Sequence, residues 1–134
     1  MKALVVEMEN LKHNLKIITD IIEDDEKKPK LIAVVKGNGY GLDLIEYTKF
    51  LIDNGIDFFA VATVEEAVKL REAGIKQDIL MMSSTAVKED IQALIKNNII
   101  LTVGSKDAGE EIEEVAKTLE VKARVHLKID TGFG

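Results

Sequence analysis

Apolar residues recur along this chain in two rhythms. Short apolar runs at 31–35 (LIAVV), 57–62 (DFFAVA), 78–82 (DILMM) and 98–103 (NIILTV) read as strands. Between them, apolar residues return every three or four positions, which reads as amphipathic helices. The pattern opens with a short strand at 3–6 (ALVV). Asn10 then caps a helix in which Leu11, Leu15, Ile18 and Ile22 share a face. The charged stretch 23–30 ends it, and Pro29 enforces the stop. After strand 31–35 and a glycine-rich loop, Asp43 to Glu46 forms a capping box for a helix reaching about Asn54, with Gly55 as its stop. Thr63 to Glu66 is a second capping box, and its helix ends at Gly74. The polar loop 83–85 precedes a helix through about Lys96, and Ser105 caps one carrying Ile112, Val115, Ala116 and Leu119. A last strand spans 121–130.

Strict alternation of strand and helix with short connections predicts an α/β protein with a parallel sheet, about five βα units long. Two architectures suit it. A doubly wound, receiver-like sheet would be complete at this length; a (β/α)8 barrel would be partial. In the last strand, Val121, Ala123, Val125, Leu127 and Ile129 lie on one face and are expected to pack on helices. Lys122, Arg124, His126, Lys128 and Asp130 lie on the other. That polar face is either a solvated edge or the interior of a barrel near its mouth.

Composition narrows the partners. Of 134 residues, 46% are hydrophobic and 31% charged, as in a soluble single domain able to bury a core. A net charge of −6 argues against nucleic acid and anionic membrane. There is no cysteine, and His13 and His126 lack metal-ligand spacing, so no metal site is expected. With no signal peptide or membrane-length run, a cytoplasmic location is the default. An open run of five parallel strands leaves uncovered surface, which predicts poor solubility or self-association as a homo-oligomer.

The chemistry concentrates at 31–41, LIAVVKGNGYG, where a buried strand runs into Lys36 and then three glycines. In α/β proteins sites are built at that end of a strand; the alternative is a lysine that simply snorkels to water. A receiver would need an acidic cluster here to hold magnesium. The Rossmann fingerprint fails at Leu42, and no P-loop pattern is present.

Three stretches, AVVKGNGYG (33–41), FFAVATVEEAVKLREAG (58–74) and VHLKIDTGFG (125–134), together resemble the N-terminal barrel domain of alanine racemase, a fold-type III pyridoxal-phosphate enzyme. The opening helix ENLKHNLKII fits the same family. The resemblance implies that residues 1–134 are the N-terminal part of a (β/α)8 TIM-type barrel. The C-terminal half of the barrel and a β domain would be absent. It implies that Lys36 forms the Schiff base with pyridoxal 5′-phosphate and is one of two catalytic bases. Tyr40 would bind the cofactor phosphate, and Lys128 would be an N-carboxylated lysine positioning a nearby arginine. The second base would be a tyrosine donated by the β domain across a homodimer, so the 134 residues alone would be inactive or nearly so. The substrate would be a small amino acid, with L- and D-alanine interconverted for cell-wall synthesis. The family pattern AVVKANAYGHG has histidine where Leu42 stands, which touches substrate preference rather than the cofactor lysine. Residue 134 cuts the last motif and reads as a cut rather than a natural end. Two other functions remain open: a non-catalytic pyridoxal-phosphate carrier of the same fold type, and a receiver-like module that binds a small molecule.

Overall fold

The structure is a computed structural model and describes residues 4–132. Helix Met8–Glu23 is followed by strand β1 (Ala33–Val34), a tight turn over 36–40 and helix Leu44–Asp53. Then come β2 (Phe58–Val61), helix Val64–Glu72, β3 (Asp78–Met81) and helix Lys88–Lys96. β4 (Leu101–Val103), helix Lys106–Thr118 and β5 (Val125–Leu127) complete the order.

All paired strands are parallel. Ala33 faces Phe59, Phe58 faces Asp78, and Leu101 faces Val125. β3 and β4 are joined by a bridge between Leu80 and Ile100, where the Ile100 N–H donates to Ile79 O and the Met81 N–H to Ile100 O, both at 2.8 Å. The spatial order is therefore β1-β2-β3-β4-β5. A doubly wound sheet would reverse direction after its first strands, placing the second outside the first. An order that never reverses is that of a barrel wall, so the receiver-like architecture is rejected and the partial barrel stands.

The core lies between this wall and its helices. All four residues of β2 are buried, which makes it the central strand of its sheet. The helices contribute Leu44 and Leu51, Ala67 and Leu70, Ile91 and Leu94, then Ile112 and Val115, spaced so that each set shares one face. Three of the expected caps form: Asp43 accepts from the N–H groups of Ile45 and Glu46, Thr63 from Glu66, and Ser105 from Ala108. Thr48 is fully buried and spends its hydroxyl on Leu44 O at 2.7 Å.

Four expectations fail, at the first two and the last of the predicted strands and at the first helix. Residues 4–6 are not a strand, and Ala3 lies outside the described residues. The first helix starts at Met8 with Glu7, not Asn10, at its N-cap, and it buries no residue. Its Leu11 and Leu15 touch the core from outside, whereas Ile18 stays half exposed. β1 is only two residues long and half-buried, because it pairs on one side alone, where the sequence predicts a buried strand over 31–35. β5 is three residues rather than ten, and the apolar face expected to meet helices is open. Leu127 and Ile129 are 75% and 80% exposed, and only Ala123 joins the core. Alternation revealed the strand, but coverage depends on what lies across from it. Phe133 and Gly134 of the last motif lie outside the described residues.

Candidate active site at the strand ends

Lys36 stands where β1 leaves the sheet. Val35, fully buried, still donates its N–H to Ala60 O at 2.8 Å. The chain then coils left-handed. φ is +64° at Gly37, +54° at Asn38, +64° at Gly39 and +54° at Tyr40, and a turn forms with Gly39 N–H bonded to Val35 O and Gly41 N–H to Gly37 O. Glycine adopts these angles freely, but each L side chain pays about 1–2 kcal/mol there. Asn38 and Tyr40 are therefore held by their surroundings. The Asn38 side-chain oxygen accepts from the Leu44 N–H at 3.1 Å, tying the turn to the next helix.

The strongest tie comes from Glu66. One carboxylate oxygen accepts from the N–H groups of Gly37 (2.6 Å) and Asn38 (3.3 Å), while the other accepts from Ala62 (3.1 Å). The sequence presents Glu66 only as the last member of a capping box. Its position at the third residue of a helix that starts right after a strand was the one available signal. Further rungs link the other strand ends. Ser83 donates its hydroxyl to Ala62 O at 2.8 Å, and Ser84 accepts from the Gly104 N–H at 3.1 Å. Thr102 donates to Met81 O at 2.6 Å, and Lys128 N–H reaches Val103 O at 2.9 Å. A Cβ added at Gly104 would sit 3.1 Å from Ser84 Cβ, so glycine permits this approach. From the sequence, Ser83 and Ser84 are only members of the polar loop 83–85.

The ends of β3, β4 and β5 enclose an open cavity of about 380 Å³, lined by Ser84, Thr85, Gly104, Ser105, Lys128 and Asp130 among others. Lys128 is thus brought to a cavity. Lys36 and Tyr40 are on the β1 side of the same end and do not line it. Lys36 is half-buried and Tyr40 is 64% exposed.

Charge is arranged differently at the two ends of the strands. At the opposite end, Arg124 bonds Asp78 at 2.9 Å, and this hydrogen bond holds the Asp78 carboxyl below its ordinary range. Arg71 nearby is pushed down, chiefly by burial. At the Lys36 end, neither Lys36 nor Lys128 makes an ion pair among the described residues. His13 is exposed and His126 packs edge-on against Phe58. No cluster of three or more potential metal ligands occurs among the described residues, and no described helix is long and apolar enough to cross a membrane.

An aldehyde cofactor needs a primary amine that is not locked in an ion pair and is partly shielded from water. Lys36 meets both conditions, and the exposed Tyr40 hydroxyl is available for a phosphate. The first N–H groups of the turn are not available, because Glu66 holds them. A phosphate would take its remaining donors elsewhere.

Residues 6–134 match the family described as alanine racemase, N-terminal domain. The chain is 37% identical over 129 residues to alanine racemase 1 of Caldanaerobacter subterraneus subsp. tengcongensis, an alignment covering 96% of this chain and 32% of that protein. Among solved structures it is similar to an alanine racemase of Clostridium difficile in complex with cycloserine. The TM-score is 0.86 and the identity 37%, covering 98% of this chain and 36% of the other. It is also similar to a histidine racemase of Leuconostoc mesenteroides subsp. sake, with a TM-score of 0.83, 27% identity, and coverage of 95% and 33%. The chain spans about a third of the length of the relatives it matches.

Proposed function

The chain belongs to the alanine racemase N-terminal domain family, and from that premise we propose that it is the lysine-bearing part of a pyridoxal-phosphate-dependent amino-acid racemase. Alanine is the substrate the similarities favour. The observation that carries the proposal is the setting of Lys36: a half-buried amine outside any described ion pair, at the C-terminal end of a barrel strand, on a turn fixed from three sides.

Bound pyridoxal phosphate supplies an electron sink for the charge left when an amino acid loses its α-proton. The residues of this chain do the rest of what can be assigned here. Lys36 Nζ would hold the cofactor and, when free, would take the α-proton of the amino acid from its own face. Tyr40 would donate its hydroxyl to the cofactor phosphate. Lys128, beside the cavity, is the candidate for N-carboxylation, which would turn a cation into an acceptor for an arginine. Racemisation needs a second acid/base on the opposite face. We assign none within these residues, so the 134 residues alone should racemise little. We place that second base on a partner subunit of a homodimer, in a cytoplasmic enzyme supplying D-alanine to the cell wall.

A second reading concerns the substrate. The similarity to a histidine racemase, together with Leu42 in place of the family's histidine, favours testing larger amino acids beside alanine. The test of the main proposal is direct. The protein is incubated with pyridoxal phosphate and treated with borohydride, and its peptides are mapped. The adduct is expected on Lys36 and is expected to vanish in Lys36→Ala. An adduct spread over surface lysines, or unchanged in that variant, would overturn the proposal.

A further inference from the structure

Glu66 departs from its local role. In a capping box its carboxylate would return to the N–H of Thr63. Instead both oxygens leave the helix: one goes to Ala62 at the end of β2, the other crosses 29 positions to Gly37 and also reaches Asn38. The first N–H groups of a helical turn have no carbonyl within the turn to serve them, left-handed or not. Glu66 serves those two. Hydrogen bonds to an ionised carboxylate are about twice as strong as neutral ones.

Lys36 is clamped as a result. The residue before it, Val35, is bonded to Ala60 O in β2, and the residue after it, Gly37, is bonded to a carboxylate anchored on Ala62, two residues further along. The N–H groups of both residues flanking Lys36 are thus referenced to the same strand end. Such a clamp fixes the direction in which the Lys36 side chain leaves the backbone.

We propose that Glu66 is a positioning residue for Lys36, acting through the left-handed turn rather than touching cofactor or substrate. This rests on the reading of Lys36 as the cofactor lysine. Reactive groups must be held within about 0.5 Å of productive geometry, and a misplacement of about 1 Å can cost about 100-fold.

The test compares Glu66→Gln and Glu66→Ala with Arg71→Lys in the complete protein. Arg71 lies on the same helix at its far end, so its variant reports a purely structural loss. Two quantities are read well below the melting temperature. One is amide hydrogen exchange at Gly37 and Asn38. The other is the rate of borohydride-trapped pyridoxal-phosphate adduct at Lys36, relative to that at surface lysines. Glu66→Gln keeps the size but cannot accept at both ends. It is expected to speed exchange at the two amides and lower the Lys36 ratio about tenfold, the effect of losing one charge-assisted bond. Glu66→Ala should lower it further, and Arg71→Lys should leave it unchanged. If the unaltered protein forms the adduct on Lys36 and Glu66→Gln forms it at the same relative rate, the positioning role is overturned and the cofactor reading survives. An equal loss in Arg71→Lys would also overturn it. If the unaltered protein forms no adduct on Lys36, both fall together.

Discussion

Arg71 offers the sharpest test of what holds the wall together at the end opposite Lys36. Its guanidinium donates to four backbone carbonyls: Nε to Asn97 at 2.9 Å, one Nη to Ile75 and Gln77 at 2.7 and 2.8 Å, and the other Nη to Asn98 at 3.0 Å. These carbonyls belong to the loops entering β3 and β4. One side chain on helix Val64–Glu72 therefore fastens two neighbouring βα units. Counted singly, hydrogen bonds to a charged donor contribute about 1.5–3 kcal/mol each. Four such bonds would overstate the effect, because Arg71 is half-buried and water can reach some of the released carbonyls. A net loss of about 3 kcal/mol is expected for Arg71→Ala. Arg71→Lys keeps a charge and three donors but not the planar fork, and should lose about 1–2 kcal/mol. Urea unfolding followed by circular dichroism measures both, with the midpoint falling and the slope preserved. A loss below about 0.5 kcal/mol for the alanine variant, or full recovery by lysine, would refute the idea that the fork closes these loops.

Two further outcomes follow from the same geometry. Gly39 has φ +64°, and an added Cβ would lie 3.4 Å from two Tyr47 atoms; at Gly37, with the same φ, it would meet open space. Gly39→Ala should cost about 1–2 kcal/mol, no less than Gly37→Ala, and a stabilised Gly39→Ala protein would contradict the left-handed turn. Asp78 has its folded-state pKa depressed, first by its hydrogen bond from Arg124. Its contribution is therefore present above the ordinary carboxylate range and lost as pH falls through the lower folded value. Stability measured against pH should decline less steeply on the acid side in Asp78→Asn, and identical acid limbs would show the pair to be immaterial.

The sequence by itself determined the kinds of element, their order and most helix starts. Capping at Asp43, Thr63 and Ser105 is a local event, decided by a side chain and a backbone N–H two or three residues on. The candidate lysine was equally conspicuous, since an apolar run ending in Lys36 and three glycines marks an abrupt change of environment. Tertiary structure decided the rest. Alternating strands and helices suit a doubly wound sheet and a barrel alike, and only the pairing of β2 with β3 and the link from β3 to β4 separated them. The length of β1 and the bareness of β5 depended on which neighbours lie alongside, information that periodicity does not contain. Glu66 and Arg71 reach partners as far as 29 and 27 positions away, so their roles emerged only when folding brought those carbonyls and N–H groups within hydrogen-bond distance.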